Sequence, residues 1–94
     1  MTDARRPDPY VLARFLDALW GPPGSPPPKR SKSSLQRAAR VNYEIFRRYL
    51  AYLERLQLVE VQPGERSDQV VLTPAGRETH ARLQRWIADL LSEW

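Results

Sequence analysis

The stretch "SKSSLQRAARVNYEIFRRYLAYLERL", Ser31 to Leu56, sets a basic residue at almost every turn and still carries enough Leu, Ile, Phe and Tyr to wall a hydrophobic interior. It contains two helix starts. Ser33 followed three residues later by Gln36 fits a capping box, in which the serine oxygen takes a backbone donor and the glutamine side chain returns to the cap. A short helix over "SLQRAAR" is therefore predicted. At Val41-Asn42 a second start follows: Asn42 can cap, while Val41 before it and Phe46 after it are placed for a hydrophobic staple. Two helices meet at a tight turn.

From Tyr43 to Leu56 the second of these helices divides into faces. Ile45, Phe46, Tyr49, Leu50, Tyr52, Leu53 and Leu56 form a broad apolar side, and Glu44, Arg47, Arg48, Ala51 and Arg55 recur at steps of three and four as a polar stripe. Tyr43, Tyr49 and Tyr52 read as core or rim aromatics, and an intrahelical pair from Glu44 to Arg48 is expected. Between Lys29 and Arg55 there are eight basic residues against two acidic ones. This local +6 lies inside a chain whose net charge is +4, so the field is concentrated on one segment and suits a polyanionic partner.

Upstream, "YVLARFLDALW" places Val11, Leu12, Phe15, Leu16 and Leu19 at helical spacing, predicting a first helix from Pro9 to Trp20. Residues 1–9, charged and without periodicity, read as a loose arm. "GPPGSPPPKR", residues 21–30, cannot continue the helix, because proline lacks the backbone donor and clashes with the preceding turn; the run reads as a stiff connector. Downstream, "LVEVQ" and "QVVLT" are strand-like runs around "PGERSD", predicting a two-stranded ribbon over 58–72. "LTPAGRETHARLQRWIADLLSEW" then opens a last helix over 73–94, with Thr73 as cap, Pro74 in the first helical position and Gly76 allowing close packing. Along it Leu83, Ile87, Leu90 and Trp94 recur at steps of four, three and four, with Trp86 and Leu91 beside them. Such a seam invites a second copy of the chain.

The bulk properties narrow the classes. Ninety-four residues, 41% hydrophobic and 28% charged, suit one small globular domain. No cysteine removes disulfides, thiolate metal sites and thiol nucleophiles together. The single histidine, His80, reads as an ordinary surface or interface residue, so no metal site and no cofactor are expected. Asp68, Glu65 and Glu60 make no paired-carboxylate site, and nothing points to catalysis. No run of about 18 apolar residues offers a membrane span, and "MTDARRPDPY" lacks the apolar centre of a signal peptide, so a cytoplasmic, nucleoid-associated protein is expected.

Helix, proline loop, short helix, tight turn, longer helix, ribbon, helix is the order of a winged helix-turn-helix domain, mainly α with a small β-ribbon (α-α-α-β-β-α). In that architecture the third helix enters the DNA major groove. "RVNYEIFRRYLAYLERLQLVEV" followed by "VVLTPAGRE" resembles the archaeal-type winged-helix regulators and, more loosely, the bacterial PadR-like ones. The elements that carry the resemblance are Asn42-Tyr43, then Tyr49-Leu50-Ala51-Tyr52-Leu53, Leu58-Val59, and Leu72-Thr73-Pro74-Ala75-Gly76. It spans about residues 10 to 91. Many relatives have glycine where this chain has Gln57, and the long proline loop is not a family feature.

The resemblance implies binding of double-stranded DNA and a homodimer joined by the last helix. Arg47 and Arg48 are the first candidates for base-edge or phosphate contact, since guanidinium pairs bidentately with guanine and also binds phosphate. Lys32, Ser33, Gln36, Arg37 and Arg40 are expected on backbone phosphates, Asn42, Tyr43 and Glu44 at the mouth of the groove, and Arg66 at the wing tip. Leu83, Trp86, Ile87, Leu90, Leu91 and Trp94 are the expected dimer contacts. Two other readings stand beside a sequence-specific regulator: an architectural nucleoid protein of low specificity, and a winged-helix module that docks an acidic protein.

Overall fold

The computed structural model describes residues 7–21, 24 and 28–92. The chain runs α1 (Pro9–Leu19), β1 (Arg30–Ser31), α2 (Lys32–Ala39), α3 (Tyr43–Arg55), β2 (Val59–Gln62), β3 (Gln69–Leu72) and α4 (Pro74–Ser92). Residues 1–6 of the expected arm, part of the proline run, and Trp94 of the expected dimer seam lie outside the described residues.

Each helix begins on a side chain that satisfies an otherwise orphaned backbone donor. Asp8 caps α1 by accepting from the Tyr10 amide, Ser31 caps α2 by accepting from Ser34, and Asn42 caps α3 by accepting from Ile45. Asn42 is the cap expected for α3. The cap of α2 is Ser31, not Ser33: any of three nearby serines offers the same hydroxyl, and Ser31 is the one left in extended geometry by its place in a strand. Gln36 does not return to the cap; its amide donates to the Val41 carbonyl and closes the turn between α2 and α3.

That strand is the main departure from the expected ribbon. The sheet has three strands in the order β1-β3-β2, all antiparallel, with Val59 opposite Leu72, Gln62 opposite Gln69, and Arg30 opposite Val70. A two-residue strand directly after a proline run has too little length to show alternation. Arg30 secures it, donating to the Ala18 carbonyl near the end of α1 at 2.7 Å and to Ser34 Oγ at 2.8 Å.

The core sits where α1, α2 and α3 close over the sheet. Phe15, Leu16, Leu19, Leu35, Leu53 and Val70 are fully buried. Phe15 stacks on Phe46 and Tyr49 at centroid separations of 5.8 and 5.7 Å, joining the inner face of α3 to α1. Val41 packs against the cluster that contains Phe46, as a staple across the cap requires.

Two junctions orient α3 and α4. After Arg55 the chain turns through Leu56 and Gln57; Gln57 lies at φ 62° while Leu58 N–H reaches the Leu53 carbonyl and Gln57 N–H the Glu54 carbonyl. This is the left-handed helix stop that usually takes glycine. Thr73 then bridges the two helices: its hydroxyl donates to the Gln57 carbonyl at 2.7 Å and accepts from the Gly76 amide at 3.0 Å. Gly76 has no room for a side chain, since a Cβ there would overlap the Leu58 carbonyl oxygen and crowd Leu72.

His80, expected at a surface or an interface, lies inside the domain. It is 9% exposed, wedged between α1 and α4, with Nε2 2.6 Å from Asp17 Oδ1 and its ring stacked on Trp20 at 5.7 Å. Gln84 donates to the same Asp17 oxygen, and Arg77 donates to the Gly21 carbonyl. These contacts hold the first half of α4 on the domain.

Candidate nucleic-acid interface

α3 owes its two-sidedness to its sequence period. Phe46, Leu50 and Leu53 point into the core, and 100° turns per residue carry Glu44, Arg47, Arg48, Ala51 and Arg55 to the solvent side, where all five are exposed. Tyr43, at the helix start, is 64% exposed. The amide end of α3 and the exposed Asn42 cap thus lie in the same half of the helix as Arg47 and Arg48.

Glu44 pairs with Arg47 at 3.0 Å, one residue nearer than the expected partner Arg48. Both groups are more than half exposed, so the pair holds a rotamer and adds little stability. Arg48 has no ion pair among the described residues. Arg55 lies 5.6 Å from the Tyr52 ring centroid, a cation over an aromatic face.

The other expected contacts separate into groups. Ser33 and Arg37 lie exposed on the outer side of α2. Lys32 is exposed and reaches Asp68 of the wing at 3.8 Å, so the start of α2 and the base of the wing are neighbours. Arg66 is exposed in the loop between β2 and β3, with every residue from 63 to 68 exposed around it. Gln36, half-buried, is committed to the Val41 carbonyl. Arg40, in left-handed geometry at the end of α2, borders a small depression with Arg14, Asp17 and Ala38, away from the concavity that Arg47 and Arg48 line beside α1. Arg30 and Arg77, basic by sequence, serve as buttresses for backbone carbonyls.

The expected dimer residues also divide. Leu83 packs against the protein's own core, and Ile87 is half-buried. Trp86, Leu90 and Leu91 are exposed at 46%, 38% and 60%. Among the described residues no group of three or more His, Asp or Glu side chains could hold a metal ion, and no helix is long and apolar enough to cross a membrane.

Three solved structures share this architecture. Sso10a-2, a DNA-binding protein from Sulfolobus solfataricus, superposes with a TM-score of 0.75 at 16% identity, covering 94% of this chain and 88% of its own. This chain has a winged-helix fold. The transcriptional regulator BldR from Sulfolobus solfataricus matches at 0.75 and 21% identity, over 89% of this chain and 58% of its own. BpsR of Bordetella bronchiseptica, whose DNA binding is regulated by 6-hydroxynicotinic acid, matches at 0.66 and 18% identity, over 98% and 59%. The winged-helix chain thus spans under two thirds of these last two proteins. No protein-family model matches it, and no curated protein matches it in sequence.

Proposed function

We propose that this protein is a small transcriptional regulator that binds double-stranded DNA in a sequence-specific manner, with α3 in the major groove. The observation that carries the reading is the split character of α3: its apolar face seals the core while the outward stripe presents Arg47, Arg48 and Arg55. A rigid helix about 10–12 Å across, basic on its free side, fits a major groove about 12 Å wide. Lys32, Ser33 and Arg37 flank it as phosphate contacts, and Arg66 extends the footprint from the wing. The solved winged-helix neighbours, described as DNA-binding proteins and regulators, support the same reading. Within that reading the chain is an archaeal-type and, more loosely, a PadR-like regulator, on the ordered set Asn42-Tyr43, Tyr49 to Leu53, Leu58-Val59 and Leu72 to Gly76.

The reading includes a homodimer. Trp86, Leu90 and Leu91 face outward on the half of α4 beyond Leu83 and are exposed among the described residues. An isologous contact along that half would join two copies of the chain, each presenting one α3.

A salt-series titration of random-sequence duplex DNA, native chain against Arg47→Ala, Arg48→Ala, tests the reading. Binding should weaken steeply with salt and fall at least tenfold in the variant. Native protein inert at low salt would remove DNA binding and favour an acidic protein partner. Selection from a random library then separates a regulator, with about a 10³-fold or greater preference, from an architectural protein that shows little.

A further inference from the structure

One acid stands in the middle of the basic face of α3. At about 100° per residue, Glu44, Arg48 and Arg55 fall within about 30° of the line directly opposite the buried Phe46, Leu50 and Leu53. Glu54, the other acid of α3, is exposed but falls about 110° from that line, in the last turn. Glu44 is the second residue of the helix, and helical side chains lean toward the N-terminus. Its carboxylate therefore projects from the end of a recognition helix whose side chains reach base edges.

Few groups of a duplex welcome a carboxylate there. Phosphates repel it, and so do the O6 and N7 acceptors of guanine and the O4 acceptor of thymine in the major groove. Adenine sets its amine beside the acceptor N7. Cytosine alone presents an amine, N4, with no acceptor of its own beside it, and its partner guanine presents acceptors only. The Glu44–Arg47 pair has the complementary layout. Arg47 starts from the shoulder of the face, and its guanidinium comes back to Glu44 Oε2 at 3.0 Å. Glu44 Oε1 and the other guanidinium N–H groups have no protein partner among the described residues, and both side chains are more than half exposed. An acceptor and a set of donors thus stand side by side, each holding the other in place.

We propose that Glu44 and Arg47 together read one C·G base pair, Glu44 accepting from cytosine N4 and Arg47 donating to guanine O6 and N7. This rests on the proposed placement of α3 in the major groove and adds to it the base pair that is read and the two residues that read it. The helix dipole also favours an acid in the first turn, but Asn42 already meets the Ile45 amide, and a dipole role carries no base preference. Arg48, near the midline and without an ion pair among the described residues, is left for a neighbouring base or phosphate. A midline acid lowers affinity for duplex in general, so its contribution lies in discrimination between sequences.

The test is duplex selection from a random library with native protein, Glu44→Gln, Glu44→Ala and Glu54→Gln, each checked for a cooperative melt. Titrations of the selected duplex, with each of the four base pairs in turn at every selected position, then give the preferences. Native protein should favour C·G at one position by at least about fivefold over the other pairs. Glutamine pairs with adenine N6 and N7, so Glu44→Gln should move that preference to A·T. Glu44→Ala should lose it and bind random duplex more tightly, because a charge that phosphate repels is gone. Glu54→Gln should keep the native preference. A selected sequence without a C·G preference, a preference unchanged in both Glu44 variants, or an equal change in Glu54→Gln overturns the contact and keeps the DNA reading. Native protein that binds duplex but selects no sequence overturns sequence specificity and the contact with it. A native chain inert toward duplex at low salt overturns the DNA reading itself, and the contact falls with it.

Discussion

Gln57 holds a backbone conformation that costs an L-residue about 1–2 kcal/mol, at a helix stop where glycine would be unstrained. Its side chain is exposed and its polar backbone groups carry the contacts to Glu54 and Thr73, so glycine keeps those contacts. Gln57→Gly should therefore stabilise the protein by about 1 kcal/mol, less than the full strain because glycine also loosens the unfolded chain. A urea midpoint that does not rise would show that the left-handed geometry is not strained here. Gly76 argues the opposite way: its neighbours are the Leu58 carbonyl and the Leu72 side chain, and a backbone carbonyl cannot swing aside as a side-chain tip can. Gly76→Ala should lower stability by about 1–3 kcal/mol despite alanine's better helix propensity, read from the same midpoint. A pure propensity effect would have the reverse sign, about 1 kcal/mol in favour of alanine.

At the scale of elements, α4 is attached to α1 through a polar cluster inside an apolar frame. His80 is nearly buried, and truncating it removes the stack on Trp20 and leaves Asp17 with Gln84 alone. His80→Ala should cost about 2–3 kcal/mol and loosen the first half of α4, seen as faster amide exchange there. If exchange and melting are unchanged, Gly76 and Leu83 hold the helix without it. The signal for this burial was present in sequence, since Gly76, His80, Leu83 and Ile87 lie at steps of four, three and four. A lone histidine is nonetheless more often found at a surface or an interface than in a core. α3 was legible because one residue, Asn42, can cap it and its two faces separate by period; the exception is Leu56, read on the apolar side but 47% exposed just past the helix end. β1 was not: two residues cannot show a period, and what makes Arg30–Ser31 a strand is the free edge of β3, some forty residues later. The same remoteness hid the concavity, which needs Pro7 and Val11 brought against α3.

For the whole molecule the charge distribution and the exposed end of α4 act together. A monomer that neutralises about six phosphates should bind DNA with a slope of log affinity against log salt near −5. Two copies joined through α4 would double the contacts and steepen the slope to about −10. Replacing Leu90 and Leu91 with glutamate puts two charges into the proposed contact without touching the core, as both side chains are exposed in the single chain. The variant should keep its melting temperature at high dilution, sediment as a monomer, and bind DNA with about half the native slope. Each part discriminates. A native protein that is already monomeric at tens of micromolar would leave Trp86, Leu90 and Leu91 without a second copy to cover them. A variant that is monomeric yet keeps the native slope would show that one winged helix makes the whole footprint and that pairing serves something other than affinity. Only a loss of pairing together with a halved slope ties the outward face of α4 to the outward face of α3.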